Sequence, residues 1–249
     1  MGTLINGLKE LFSSAAQTSP TNIPTCASDG TPNGNITIAN LASALGVTKH
    51  VEFVDMGLPS GRLWASKNLG AETITDYGAY FSWGNVQGHK PNGTTFSYNW
   101  GSSNDGPYAS TEGAALTGNI PLQQDAANFY LGGSCRMPTT SEFAELFNSS
   151  YTKYIDASGN EVTGTNKLIT LHGVVGIYLK SKVNGNTLFF PCAGNGFGSS
   201  LNGAGSNGYY WSSSRYSDAR GYYLYFGSGG VNPQDSSSRF YGFSVRAVQ

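Results

Sequence analysis

Charge is scarce in this chain. Asp, Glu, Lys and Arg together make up 12% of the 249 residues, and the net charge at pH 7 is -1. Lys and Arg are scattered and form no basic stripe of the kind that binds a phosphate backbone. We therefore expect no nucleic-acid partner.

Cysteine is also scarce. Cys26, Cys135 and Cys192 lie far apart, and their odd number fits thiols in a reducing compartment better than a disulfide framework. The three histidines have no metal-ligand spacing to one another or to a cysteine. The sequence therefore predicts no metal and no cofactor.

Long apolar runs are missing as well. No stretch approaches the roughly 18 apolar residues of a membrane span, and the N-terminus lacks the charged and apolar regions of a secretory signal. We expect a soluble protein that is made in the cytosol and either stays there or leaves the cell by lysis, with no membrane insertion.

Patterns of catalytic chemistry are weak. Residues 194–198, GNGFG, differ from a phosphate loop because the third glycine comes one residue early and no helical pattern follows. Residues 227–229, GSG, lack the spacing of a hydrolase nucleophile elbow. We interpret 194–198 as a loop, assign no catalytic residue and expect no enzymatic activity.

Glycine and aromatic residues are abundant, with 34 Gly, 15 Tyr and 13 Phe. Alternating apolar residues between Gly and Asn turns predict short strands, including a hairpin that turns at Asn184-Gly185. The predicted strands are 51–55, 77–83, 174–182, 187–191, 221–226 and 243–248. Together with one clear helix, they predict an α+β domain over residues 51–249.

The helix follows Thr139. Thr139 and Glu142 have the spacing of a capping box, and Phe143, Leu146 and Phe147 recur at helical spacing. We expect Glu142 and Glu145 to be exposed and to favour the helix start through its dipole rather than through any catalytic role.

The first fifty residues have a different pattern. Prolines and Asp-Gly and Asn-Gly pairs predict irregular structure over residues 18–35. Short apolar stripes on either side predict two helices that need a partner surface. The predicted oligomerisation residues are Leu4, Leu8, Leu11, Ile38, Leu41 and Leu45. We interpret residues 1–50 as a segment that forms a homo-oligomer, most simply a trimer.

The last forty residues mix tyrosine with serine, asparagine and glycine. This mixture is typical of surfaces that bind varied targets, because tyrosine offers a stiff contact and the small polar residues offer adjustable hydrogen bonds. The alternative is a tyrosine-rich sheet with solvated turns.

Five ordered blocks carry a family resemblance. They are DMGLPSG with LWA (55–65), DYG with YF and WG (76–84), CRMPT (135–139), YWSS (210–213) and YGFSVR (241–246). They resemble the Fibrobacter succinogenes major paralogous domain over about residues 51–249. Residues 1–50 resemble the virion-attachment segment of fibre proteins of Bacteroides phages, including crAss-like phages.

The resemblance implies a C-type-lectin-like fold, shared with formylglycine-generating enzymes and with the variable proteins of diversity-generating retroelements. Together with the strand pattern of 51–55, it predicts that this strand lies beside 243–248. It implies a virion adhesin that binds a host-surface glycan or protein and assembles with other virion proteins. A purely structural virion protein and a formylglycine-generating-type enzyme remain alternatives. Cys192 has no nearby second cysteine, which argues against formylglycine-generating chemistry. Pro233-Gln234-Asp235 is not a calcium-lectin triplet, so calcium-mediated glycan binding is not expected.

Two classes of residue follow from the position of the blocks. Trp211 and Arg246 lie inside blocks and are predicted to be scaffold, with Trp211 in the core and Arg246 in a buried or half-buried polar contact. The residues between the blocks are predicted to be ligand-binding loops, with solvated turns as the alternative. They are Arg215, Tyr216, Ser217, Asp218, Arg220, Asn232, Asp235, Ser237 and Phe240.

Overall fold

The computed structural model describes residues 51–101 and 118–249, and the backbone of two strands, β1 (Asn22–Cys26) and β2 (Pro32–Thr37). The chain divides into two units, Met1–His50 and Val51–Gln249. The two apolar helices predicted before residue 50, with all six predicted oligomerisation residues, lie outside the described residues. Within the described part of the chain, no helix is long and apolar enough to cross a membrane.

The strands β1 and β2 pair antiparallel, with Ile23 opposite Ile36. The prediction of irregular structure over 18–35 is therefore wrong for these segments. A two-stranded ribbon leaves an outer edge on both strands, and proline is tolerated at edges because its missing N–H breaks no ladder bond there. Pro24 and Pro32 are accommodated in this way.

Short strands dominate the second unit. They are β3 (Phe53–Asp55), β4 (Leu63–Ala65), β5 (Tyr80–Phe81), β6 (Thr152–Tyr154), β7 (Ile169–Leu171), β8 (Val174–Ser181), β9 (Thr187–Pro191), β10 (Asn195–Phe197), β11 (Ser200–Asn202), β12 (Gly208–Arg215), β13 (Arg220–Gly227), β14 (Gly230–Ser238) and β15 (Phe243–Ser244). The α-helices are α1 (Ala126–Leu131) and α2 (Thr140–Leu146), with a 3-10 turn at Leu122–Gln124. The predicted α+β class is confirmed, with strands in the majority.

The central sheet has five strands in the order β14-β13-β12-β15-β5. Successive strand residues point to opposite faces, so each face has its own core. Tyr210, Leu224 and Phe226 pack in the core on one face, whereas Trp211 and Tyr223 pack in the core on the other. The sheet is therefore a rigid layer between two cores.

A second sheet forms around β8, which pairs with β6, β7 and β9. The predicted hairpin is confirmed, because β8 and β9 run antiparallel and the chain reverses at Asn184-Gly185. Gly185 takes φ +81°, which glycine adopts without steric cost.

The predicted capping box of α2 is confirmed. The Thr139 hydroxyl accepts a hydrogen bond from the Glu142 backbone N–H at 3.2 Å, and the Glu142 carboxylate accepts one from the Thr139 N–H at 2.8 Å. The expectation that Glu142 is exposed is wrong. Arg136 lies 2.6 Å and Arg62 3.0 Å from its carboxylate. This charge pairing makes its burial tolerable.

The two ends of the second unit meet, but not as predicted. The strand 51–55 was expected beside 243–248, whereas β3 pairs with β4 and β4 is the neighbour of the C-terminus. The Ala65 N–H donates to the Ala247 carbonyl at 2.9 Å. The short connection between β3 and β4 favours a local hairpin, which places β4 between the two predicted partners.

Both scaffold predictions are confirmed. Trp211 is 0% exposed, and its indole N–H donates to the Phe81 carbonyl at 2.7 Å. Arg246 is also 0% exposed and donates to the Asn68 amide oxygen and the Phe189 carbonyl, each at 2.8 Å. Burial lowers the pKa of Arg246 to about 10, so the guanidinium is still charged at neutral pH.

Candidate functional site

The connection between β12 and β13 brings five of the predicted ligand-binding residues together, from Arg215 to Arg220. The N–H groups of Tyr216 and Ser217 both donate to the Arg220 carbonyl, at 3.1 and 3.0 Å. These bonds close a tight turn between two long strands. We call residues 215–220 the β12–β13 turn.

The side chains of the β12–β13 turn support one another. Tyr216 is 50% exposed, and its ring meets Tyr222 edge to face at a centroid distance of 5.2 Å. The Arg220 guanidinium lies 5.5 Å from the centroid of Tyr216 and also donates to the Ser236 carbonyl. Arg215 is ion-paired with Asp218. The turn thus presents an exposed tyrosine on a network of local contacts.

The other predicted polar contacts lie on a strand rather than a loop. Residues 230–238 form β14, the edge strand of the central sheet. The loop prediction is wrong here because pairing with the tyrosine-rich β13 overrides the weak strand preference of the polar residues. Pro233 is compatible with an edge position. Asn232, Asp235 and Ser237 pair in register with Tyr225, Tyr223 and Gly221.

Phe240 does not belong to an exposed site. It is 4% exposed and its ring lies 4.7 Å from that of Tyr241 and 6.2 Å from that of Phe197. The prediction that Phe240 lies in an exposed ligand-binding loop is wrong, because its apolar ring is packed among aromatic neighbours. The polar residues before Phe240 suggested a loop, whereas Tyr241 and Phe243 after it were a signal of aromatic packing.

The structure also assembles an aromatic surface that the sequence analysis missed. Its centre is Tyr209, whose ring lies 5.3 Å from Tyr225, 5.8 Å from Tyr223 and 5.1 Å from Phe243. We call this set the ring row, and its members are Phe197, Tyr209, Tyr223, Tyr225, Tyr241 and Phe243. Tyr223 and Phe243 are buried, and the other four are partly exposed.

Strand register explains half of the ring row. Tyr209 lies directly opposite Tyr225 on the neighbouring strand, so the two side chains stand on the same face of the sheet. The period-two spacing of Tyr223 and Tyr225 was a signal available in the sequence. Phe197 and Tyr241 come from distant segments, and nothing local indicated that they join the row.

The strand β10 brings Phe197 to the ring row. Its central residue, Gly196, exchanges two backbone hydrogen bonds with Gly242, at 2.7 and 3.0 Å. The interpretation of residues 194–198 as a loop is wrong, because β10 and β11 form an antiparallel hairpin. Gly198 has φ +57°, which lets the chain turn there.

Polar side chains hold the phenol groups of the ring row. The Tyr225 hydroxyl donates to Asn207 Oδ1 at 3.1 Å, and the Tyr223 hydroxyl donates to Asp235 Oδ2 at 3.0 Å. Asn195 hydrogen-bonds Tyr209. Burial raises the pKa of Tyr209, and burial with the Asp235 carboxylate raises that of Tyr223. Both phenols are therefore uncharged at neutral pH.

Comparison with known proteins gives one match. Residues 176–248 match a family described as a domain of unknown function, DUF8237. This region runs from β8 to beyond β15 and contains both the β12–β13 turn and the ring row. No curated protein and no solved structure matches the chain. Within residues 51–101 and 118–249, no three His, Cys, Asp or Glu side chains form a group that could hold a metal ion.

Proposed function

We propose that this protein is a phage virion adhesin. Residues 1–50 attach it to the particle and form a trimer, and residues 51–249 form a C-type-lectin-like domain that binds a host-surface glycan or protein. The five sequence blocks support this proposal, as does an α+β unit whose two ends meet through β4. Repeated copies on one particle would strengthen weak single sites.

The observation that carries the proposal is the exposed Tyr216 on the β12–β13 turn. Tyrosine and arginine dominate binding hot spots, and here Tyr216 contacts Arg220 and Tyr222. A side chain that is ordered before binding loses less conformational entropy when a partner arrives. The turn therefore suits recognition better than a free loop of the same composition.

A structural virion protein is the second candidate, favoured by the position of β14. It ends the central sheet, and an edge strand can pair with a strand of another chain. In that case the loss of surface residues would affect assembly of the particle rather than attachment to cells.

The enzyme alternative has less support. Cys192 and Cys135 are buried, and burial raises the pKa of the Cys192 thiol to about 12 and also raises that of Cys135. Cysteine chemistry needs the thiolate, which these surroundings disfavour at neutral pH. The proposal therefore assigns no catalytic role to either thiol.

A four-residue variant tests the adhesin proposal. Replacing Arg215, Tyr216, Asp218 and Arg220 together by alanine should abolish adsorption of the purified full chain to Bacteroides cells. The free energy of unfolding should change little, since surface substitutions usually change it by no more than about 0.5 kcal/mol each. Adsorption is measured by the protein depleted from solution, and melting is followed by circular dichroism.

The matched control removes an ion pair from the second sheet, by the changes Lys153→Ala and Glu161→Ala. It should adsorb like the parent, and a calcium chelator should leave adsorption unchanged. If the four-residue variant still adsorbs, the β12–β13 turn is not the receptor surface. If it adsorbs normally but is lost from virions, the structural candidate is favoured instead.

A further inference from the structure

We propose that the partly exposed members of the ring row, together with Asn195 and Asn207, bind the sugar rings of an uncharged glycan. The surface is distinct in its residues from the β12–β13 turn. The inference rests on the proposed attachment function, because it names the chemical class of the receptor.

The geometry of the aromatic rings is the first observation that supports a sugar site. Phe197 and Tyr241 are inclined by 24° at a centroid distance of 5.2 Å, and Tyr241 and Phe243 by 27° at 5.7 Å. Tyr209 is inclined by 32° to Phe243. Rings from three separate segments therefore meet at inclinations of 24° to 32°. Aromatic faces carry a negative quadrupole that attracts the weakly positive C–H groups on one side of a sugar ring.

The amide groups are the second step. Asn207 Oδ1 is occupied by the Tyr225 hydroxyl, whereas Asn207 Nδ2 makes no hydrogen bond within the described residues. An amide nitrogen has two N–H donors, and sugar hydroxyls accept such bonds. Asn195 lies beside Tyr209 and adds a second amide group. Apolar rings with a few fixed polar groups are the usual composition of a small-molecule site.

Charge selects the class of glycan. Asp235 is the one charged side chain that contacts a ring of the row through a hydrogen bond among the described residues, and its other carboxylate oxygen accepts from the Ser236 N–H at 2.8 Å. The surface itself is built from phenol, phenyl and amide groups. Such a surface offers no cation to a uronic or sialic acid, so an uncharged glycan is the better match.

The test compares Phe197→Ala and Asn207→Ala with the parent, all as full chains. Phe197→Ala removes one ring, and Asn207→Ala removes one amide from a partly exposed position. The matched control is Tyr178→Ala, which removes a partly exposed ring from the second sheet. Each protein is measured for adsorption to host cells and for retention on immobilised dextran, mannan, β-glucan and the capsular polysaccharide of the host. Circular dichroism checks that each variant is folded. If Phe197→Ala does not fold, the test of the sugar site rests on Asn207→Ala.

We expect both variants to lose at least about tenfold in adsorption and retention, and Tyr178→Ala to match the parent. Periodate treatment of the cells, which cleaves vicinal diols of sugars, should abolish adsorption of the parent, and protease treatment should not. If the parent adsorbs but both variants match it, or protease alone abolishes adsorption, this inference is overturned while the adhesin proposal stands. The parent could also fail to adsorb to cells but be retained on a neutral polysaccharide, with retention lost in Phe197→Ala and Asn207→Ala. In that case the adhesin proposal fails and the sugar site stands.

Discussion

At the residue scale, a few side chains hold the second unit together through burial and polar pairing. Trp211 and Arg246 have no exposed surface, and both place their N–H groups on carbonyl or amide oxygens. A buried polar group that lacks such a partner lowers the free energy of unfolding. These hydrogen bonds therefore contribute to the stability of the core. The stability of the central sheet depends on them.

Trp211→Ala tests this at the centre of the sheet. The ring stacks on Phe243 at a centroid distance of 4.2 Å, and the substitution would leave a cavity beside Phe243 and remove the hydrogen bond to the Phe81 carbonyl. We expect a loss of about 3 to 5 kcal/mol in the free energy of unfolding, the usual range for emptying an aromatic site. Denaturant unfolding measures it, with Tyr216→Ala as the exposed control. A change near zero would show that Trp211 is not part of the core.

Glu142 makes the stability of the fold depend on pH. Burial favours its neutral form, but the Arg136 guanidinium and the Thr139 N–H favour the carboxylate more, so the pKa of Glu142 is lowered from 4.5. A lowered carboxyl pKa stabilises the fold above the ordinary pKa, and the effect is lost as the pH falls through the folded value.

The variant Glu142→Gln should therefore lose about 1 to 2 kcal/mol at pH 7, of the order of a lost helix cap. Its stability should also fall less than that of the parent between pH 5 and pH 3, a window set by the ordinary carboxyl pKa. Parallel acid-dependent melting curves for the two proteins would contradict the role of this carboxylate.

At the element scale, β10 and the turn into β15 approach closely because two glycines meet the ring of Trp100. A Cβ on Gly196 would lie 2.2 Å from Trp100 Nε1, and one on Gly242 would lie 2.6 Å from Trp100 Cε2. Neighbouring residues along a strand point to opposite sides, so Trp100 packs behind the segments that carry Phe197 and Tyr241. The two glycines thus allow the ring row to form.

Gly242→Ala should destabilise the protein by about 1 to 3 kcal/mol, the range for overpacking a core, because Trp100 has to move. The control is Gly229→Ala, where an added Cβ meets nothing within 4 Å. Thermal melting compares the two. Equal melting temperatures would mean that the Trp100 contact is not tight.

At the scale of the whole molecule, the two units are expected to differ in whether they fold without a partner. The unit Val51–Gln249 contains its own apolar clusters, including one around Phe143, Ile177 and Phe190 and one around Trp83 and Trp211. A unit of this size with its own core is expected to fold independently. Residues 1–50 have only short apolar stripes in sequence, which need a partner to be buried.

If residues 1–50 form the proposed trimer, deleting them should leave a folded monomer. Light scattering coupled to size-exclusion chromatography measures the mass of both forms, and circular dichroism checks that the shortened protein keeps its strands. A closed cyclic oligomer would suit a fibre. If the full-length protein is already a monomer, the oligomerisation role of residues 1–50 is wrong.

Features that depend on neighbours a few residues apart could be predicted from the sequence alone. The Thr139–Glu142 capping box and the Asn184-Gly185 hairpin are local, because the groups that bond lie within one turn of the chain. Tertiary structure decided the rest. Pairing with β13 made a strand of the polar segment 230–238, and Glu142 is buried with ion pairs to Arg136 and to Arg62, which is distant in sequence. The ring row joins residues from β10 to β15, and its burial and register depend on contacts that no local pattern contains.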